Sequence, residues 1–281
     1  MAERTQSEIW NGSTGDAWAR HRDDYDATLV HFGEAVMDRL PLDAGTSVLD
    51  VGCGTGQATV ELARRVRPGP VVGVDISRPM LEAARRRAAD EGVDNVTFEE
   101  VNVETGTLPE DRFDVAFSRL GVMFFSDPVA AFANIRRSLV AGGRLGFVCF
   151  QEPGRNPLLT VPVGAAMGPL GLAPAPDGPG PFALADPELI RRILGDAGFV
   201  EVSIEPGPDS APLIAHDGIE SLARRLIEQT PMTGPAMASA SPDTAASAVR
   251  SVAAALEEHR HGDEVRLGAA TWIVLARPTS S

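Results

Sequence analysis

Three glycines at alternate positions, Gly52, Gly54 and Gly56, follow directly on the apolar run Val48-Leu49-Asp50-Val51. Glycine lets a backbone pass close to a bound molecule with no Cβ in the way. A helix starting behind such a turn offers N–H groups without intrahelical partners to a carboxylate or phosphate. The spacing is Gly-x-Gly-x-Gly, not the Gly-x-Gly-x-x-Gly of dinucleotide sites. Nineteen residues beyond Gly56, Asp75 stands at the end of a second apolar run, Val72-Gly73-Val74-Asp75-Ile76. A carboxylate there can accept hydrogen bonds from both hydroxyls of a ribose. Turn and acid together point to a bound small molecule with a ribose in it.

These residues need a sheet edge to hold them, and the flanking sequence supplies strands and helices in alternation. Ser47–Val51 reads as a strand, Gln57–Val66 as a helix and Val71–Ile76 as a second strand. Ser77 is a candidate N-cap for the next helix, with Pro79 in its first turn and Leu81, Ala84 and Ala88 on its buried face. Strands follow at Val96–Val101 and Phe113–Ser118. A helix then opens at Asp127-Pro128, places Val129, Phe132, Ile135 and Leu139 on one face, and stops at Gly142-Gly143. Gly143–Phe150, Val200–Glu205 and a long closing run, Val265–Ala276, read as further strands, with a helix from Asp186-Pro187 to Gly198.

Such alternation predicts a doubly wound α/β fold, a parallel sheet of about seven strands covered on both faces. Residues 46–281 form that domain, behind an N-terminal helical cover over 1–45 with a helix at Thr28–Leu40. Two lid segments interrupt the rhythm. Residues 152–181 are rich in proline and glycine and read as loop or irregular cover, and 206–264 read as an insertion with helices at about 218–229 and 243–260.

The string Asp50-Val51-Gly52-Cys53-Gly54-Thr55-Gly56, with Gly73-Val74-Asp75-Ile76-Ser77 behind it, resembles the glycine motif and acidic partner of class I S-adenosylmethionine-dependent methyltransferases. The branch most similar is that of the ubiquinone and menaquinone biosynthesis methyltransferases. Ser118-Arg119-Leu120-Gly121-Val122-Met123-Phe124-Phe125-Ser126-Asp127-Pro128 and Gly142-Gly143-Arg144-Leu145 extend the likeness. It implies a seven-stranded Rossmann-like sheet of order 3-2-1-4-5-7-6, strand seven antiparallel, and S-adenosyl-L-methionine as cofactor. It also implies roles. Gly52, Gly54 and Gly56 pass under the methionine part, Asp50 sets the turn and approaches the ammonium, and Asp75 holds the ribose. Ile76 and Met80 flank the adenine. Asn102 stands where the family carries an Asp toward the adenine amine, and the Val103 N–H donates to the ring. Ser118 and Arg119 face the methionine or the methyl acceptor. Trp18 and Tyr25 lie in the cover, as cofactor contacts or as ordinary core aromatics.

The formal charge of −14 (25 − 39) argues against a duplex nucleic-acid partner. The two cysteines, Cys53 and Cys149, belong to no CxxC pair, so no metal is expected and a reducing cytoplasm suits the chain. No run of apolar residues is long enough for a membrane span. A monomer or homodimer acting on a small molecule is the expected form. Leu158, Leu159, Met167, Leu170, Leu172, Phe182, Met232 and Met237 in the lid segments suit a largely apolar acceptor. None of the histidines, His21, His31, His216, His259 and His261, is singled out as a base. A methyltransferase fold that binds the cofactor without transferring methyl therefore stays open. A nicotinamide-dependent oxidoreductase is disfavoured, since the chain has one tyrosine and no lysine for a catalytic pair.

Overall fold

The computed structural model describes residues 5–173, 178–262 and 264–279. Parts of the expected cover, lid segments and domain end (residues 1–4, 174–177, 263 and 280–281) lie outside the described residues. In chain order the helices are α1 (Gln6–Trp10), α2 (Ser13–Arg20), α3 (Arg22–Met37), α4 (Gln57–Val66), α5 (Arg78–Asp90), α6 (Pro128–Ser138), α7 (Pro157–Leu170), α8 (Pro187–Asp196), α9 (Ile219–Glu228), α10 (Gly234–Ser239) and α11 (Pro242–Glu257). The strands are β1 (Val48–Val51), β2 (Val71–Asp75), β3 (Val96–Glu100), β4 (Phe113–Arg119), β5 (Leu139–Phe150), β6 (Phe199–Pro206), β7 (Ser210–Ile214), β8 (Arg260–His261), β9 (Glu264–Gly268) and β10 (Thr271–Pro278). They fall into two compact units.

The larger unit (30–151, 178–208 and 271–279) holds a seven-stranded sheet of order β3-β2-β1-β4-β5-β10-β6. β1, β2, β3, β4 and β5 run parallel, and β10 enters between β5 and β6 antiparallel to both. This is the strand order, with one antiparallel strand, that the resemblance implies. β1 is buried along its whole length, as a central parallel strand must be. Phe113, Phe117, Phe132 and Phe147 fill the core around β4, β5 and α6. Short crossovers between parallel strands leave β1, β2 and β4 opening on one carboxyl edge, where ligands bind in such folds.

The smaller unit (5–29, 152–173 and 209–270) packs α11 against α7 and α9 and carries a three-stranded antiparallel sheet, β7-β9-β8. Leu222, Leu226, Val252 and Leu256 form part of its core. Two expectations are corrected here. The stretch 152–181 is not irregular throughout, because α7 occupies 14 residues of it despite Pro162 and Pro169 inside the helix. Pro157 at its start costs no hydrogen bond, and packing on α11 outweighs local propensity. The closing run is also not one strand. Ala269 N donates to the Asp209 carbonyl and Ala270 N to that of Arg155, which separates β9 from β10.

Candidate cofactor site

The turn after β1 is anchored on the end of β2: the Gly52 and Cys53 N–H groups both donate to the Val74 carbonyl, at 2.8 and 3.1 Å. Gly52, Gly54 and Gly56 all have positive φ, +68°, +56° and +81°. Clearance for a ligand is only part of the reason for glycine. A Cβ on Gly52 would lie 2.9 Å from Gly121 Cα, and one on Gly56 2.8 Å from Ala84 Cβ. The turn is thus pressed against β4's exit on one side and α5 on the other.

Asp75 closes this arrangement. Its Oδ2 accepts the Gly54 N–H at 2.8 Å and its Oδ1 that of Ser77 at 2.9 Å. Burial raises its pKa above the ordinary carboxylate value, while the N–H groups of Ser77, Gly54 and Ile76 oppose the shift. Ser77 does stand at the N-cap position of α5, but its hydroxyl makes no capping bond.

Asp50 is fully buried in β1, and its Oδ2 accepts the Thr59 hydroxyl at 2.7 Å. Burial pushes its pKa up to about 7, against the Thr59 hydrogen bond and the charge of Arg119, while the charge of Asp75 adds to the rise. On the other side of the turn Ser118, also fully buried, donates from Oγ to the Val51 carbonyl at 2.7 Å. Its neighbour Arg119 donates from Nη1 to Gln57 Oε1, at the first residue of α4.

A family model described as a methyltransferase domain matches residues 42–152, from the approach to β1 to the end of β5. The chain is 34% identical to the nocamycin O-methyltransferase of Saccharothrix syringae, over 63% of this chain and 69% of that protein. The chain belongs to the class I S-adenosylmethionine-dependent methyltransferases.

A second relative is the ubiquinone/menaquinone biosynthesis C-methyltransferase of Hahella chejuensis, 36% identical over 44% of this chain and 50% of that protein. The chain thus spans about half the length of this relative. The crystal structure of the YcgJ protein from Bacillus subtilis shares the fold, with 20% identity, a TM-score of 0.57 and coverage of 88% and 97% of the two chains. The cofactor of these methyltransferases is S-adenosylmethionine, and the donor set here fits it. A carboxylate offers about four acceptor positions, more than the N–H groups of Gly54, Ser77 and Ile76 take up on Asp75. Apolar Ile76, half-buried, follows Asp75 in the chain, and buried Met80 lays its Cε against Gly54.

The methyltransferase's remaining expected site residues are placed as follows. The Val101 N–H donates to the Asp75 carbonyl at 3.0 Å, which brings the loop after β3 alongside. In that loop Asn102 is exposed and its Oδ1 accepts the Glu104 N–H at 2.9 Å. Val103 is buried, and its carbonyl accepts from Asn134 Nδ2. Trp18 and Tyr25 belong to the smaller unit. Their rings pack at 4.5 Å, the Trp18 indole N–H donates to the Gln229 carbonyl at 2.9 Å, and Tyr25 is buried with its hydroxyl toward the Arg225 carbonyl. His21 lies 3.7 Å from Glu228 and 3.9 Å from Asp24, its pKa lowered chiefly by burial.

Gln57, Thr59 and Gly121 escaped the sequence reading. Thr59 sits in the first turn of α4, nine residues after Asp50, a spacing that only a strand–turn–helix geometry converts into contact. Among the described residues no group of three or more His, Cys, Asp or Glu could hold a metal ion, and no helix is long and apolar enough to cross a membrane.

Proposed function

We propose that this methyltransferase transfers the methyl group of S-adenosylmethionine to a small, largely apolar metabolite through a polar reacting atom. The carrying observation is the Asp75 carboxylate, fixed at the end of β2 by backbone N–H groups from both the glycine turn and the start of α5. In this reading Asp75 accepts from the ribose hydroxyls. Gly52, Gly54 and Gly56 run under the methionine part, Ile76 and Met80 flank the adenine, and Asn102 with the Val103 N–H meets its polar edge. Asp50 and Ser118 act as positioning residues that hold the turn through Thr59 and Val51.

When bound, the cofactor supplies a methyl group already activated on a sulfonium. The chain's residues have only to orient it and keep water out, an alignment effect that contributes ~7–11 kcal/mol in well-oriented systems. A base is needed only where the acceptor must lose a proton. We assign cofactor binding to the larger unit and acceptor choice to the smaller one. In the smaller unit α7 presents apolar Leu159, Val161, Val163, Met167 and Leu170, all half-buried. The names of the relatives support a small metabolite, an O-methyl acceptor in one case and a C-methyl acceptor in the other. The net charge of −14 supports a role away from nucleic acid. Buried free thiols at Cys53 and Cys149 suit the cytoplasm, for a monomer or homodimer.

Incubating the protein with methyl-labelled S-adenosylmethionine and a fractionated metabolite extract tests this. Label should enter an organic-soluble small molecule. Tight cofactor binding with no transfer to any fraction would favour a protein that holds the cofactor for another purpose.

A further inference from the structure

In the larger unit a cavity of about 190 Å³ lies where the start of β5 and the end of β10 meet the loop before β4 and the last turn of α6. This is the edge of the sheet opposite the glycine turn, with the seven residues of β4, roughly 20 Å of strand, between the two. The space is several times the ~30 Å³ that a water molecule takes up in the liquid, which suits a small molecule. Two acids line it from the loop, Glu110 and Asp111, and two arginines from α6, Arg136 and Arg137. Opposite charges sharing a small cavity ordinarily pair. Among the described residues no ion pair or side-chain hydrogen bond joins these acids to these arginines.

The backbone holds both segments in place. The Asp111 N–H donates to the Arg137 carbonyl and the Arg112 N–H to the Ser138 carbonyl, each at 3.0 Å, so the acidic loop is tied to the end of α6. Arg137 is turned back on its own helix, donating from Nη2 to Asn134 Oδ1 at 3.0 Å. The Arg136 guanidinium has no hydrogen-bond or ion-pair partner among the described residues, yet its stem is held. The side chain is half-buried against Gly198, where a Cβ would stand 2.9 Å from both its Cδ and its Nε. Much of its entropy is thus lost on folding, before any ligand arrives. Such a guanidinium presents a planar fork of donors that matches a carboxylate in two parallel hydrogen bonds. The neighbouring acids disfavour a simple anion and the arginines a simple cation. An α-amino acid carries both charges in one small molecule and meets both pairs.

We propose that this cavity binds a free α-amino acid, with its carboxylate on Arg136 and its ammonium toward Glu110 and Asp111. The site lies on the far edge of the sheet from the cofactor residues and is independent of them.

Heteronuclear NMR on isotope-labelled protein tests it, with S-adenosylhomocysteine in slight excess so that an amino acid does not respond at the cofactor residues. Each of the standard L-amino acids is added in turn at millimolar concentration. At least one should shift the Asp111 and Ala141 amide signals and the Arg136 Nε signal in a saturable way. That amino acid should bind at least tenfold more tightly than its deaminated or its decarboxylated analogue. Arg136→Gln should weaken binding at least tenfold with little change in melting temperature. Glu110→Gln, at an exposed position, should weaken it at least threefold and serves if Arg136→Gln does not fold. No shift around the cavity with any amino acid, full binding in both variants, or equal binding of the deaminated acid would overturn the proposal.

Discussion

The Thr59 hydroxyl donates to the buried carboxyl of Asp50 at 2.7 Å, strapping β1 to α4 across the glycine turn. A polar group buried without its partner costs roughly 1–3 kcal/mol. Thr59→Val keeps the shape and removes the donor, so it should destabilise the protein by about that amount. Denaturant titration checks it. An unchanged midpoint would mean that the strap contributes nothing.

The same carboxyl predicts a pH dependence. Its folded pKa, about 7, lies above the ordinary carboxylate value of 3.8, so the folded protein holds this proton more tightly than the unfolded chain does. The stabilisation is complete below pH 3.8 and is lost as pH rises through about 7. Asp50→Asn should remove this component. The melting-temperature difference between Asp50→Asn and wild type should therefore shift in the variant's favour as pH rises across that window. A difference that stays flat with pH would contradict the burial argument.

Gly52 tests the packing of the turn. Its φ is +68° and an added Cβ would stand 2.9 Å from Gly121 Cα. Gly52→Ala should cost at least ~1–3 kcal/mol from strain alone, plus the displaced contact. Gly195 in α8 has ordinary φ and open space at its Cβ. Gly195→Ala should stabilise by roughly 0.5–1 kcal/mol. Equal effects at the two sites would show that the turn is not constrained as described.

The sheet and its edge were legible in the sequence because every element there is local: β1, the turn, α4 and β2 follow one another within thirty residues, each with its own pattern. Positions 152–181 were misread because proline and glycine counts report local propensity, whereas α7 forms by packing on α11 from far along the chain. The run Val265–Ala276 shows the same limit. Its apolar pattern is continuous, and only the non-local partners Asp209 and Arg155 reveal where one sheet ends and the other begins. Ser118 illustrates the site itself. Its position at the end of β4 was readable, while its hydrogen bond to Val51 depends on the pairing of β1 with β4.

Leu170, half-buried near the end of α7, probes the division of labour between the units. Leu170→Glu should lower turnover of the identified acceptor at least tenfold while cofactor affinity changes less than about threefold, since alignment of the acceptor is a major source of rate. Calorimetry, melting curves and initial rates on the same variant separate the outcomes. Lost cofactor binding in a stable variant would place α7 in the cofactor site instead.

The central claim is that Asp75 holds the ribose of S-adenosylmethionine, and changing the ligand tests it without disturbing the turn. Wild-type protein is titrated with S-adenosylhomocysteine and with its 2′,3′-dideoxy counterpart. Two charge-assisted hydrogen bonds contribute ~1.5–3 kcal/mol each, so loss of both hydroxyls should weaken binding well over tenfold. Asp75→Ala should erase most of that difference. Equal affinity of the two ligands for the wild type, or tight binding of NAD with no response to either, would contradict the account.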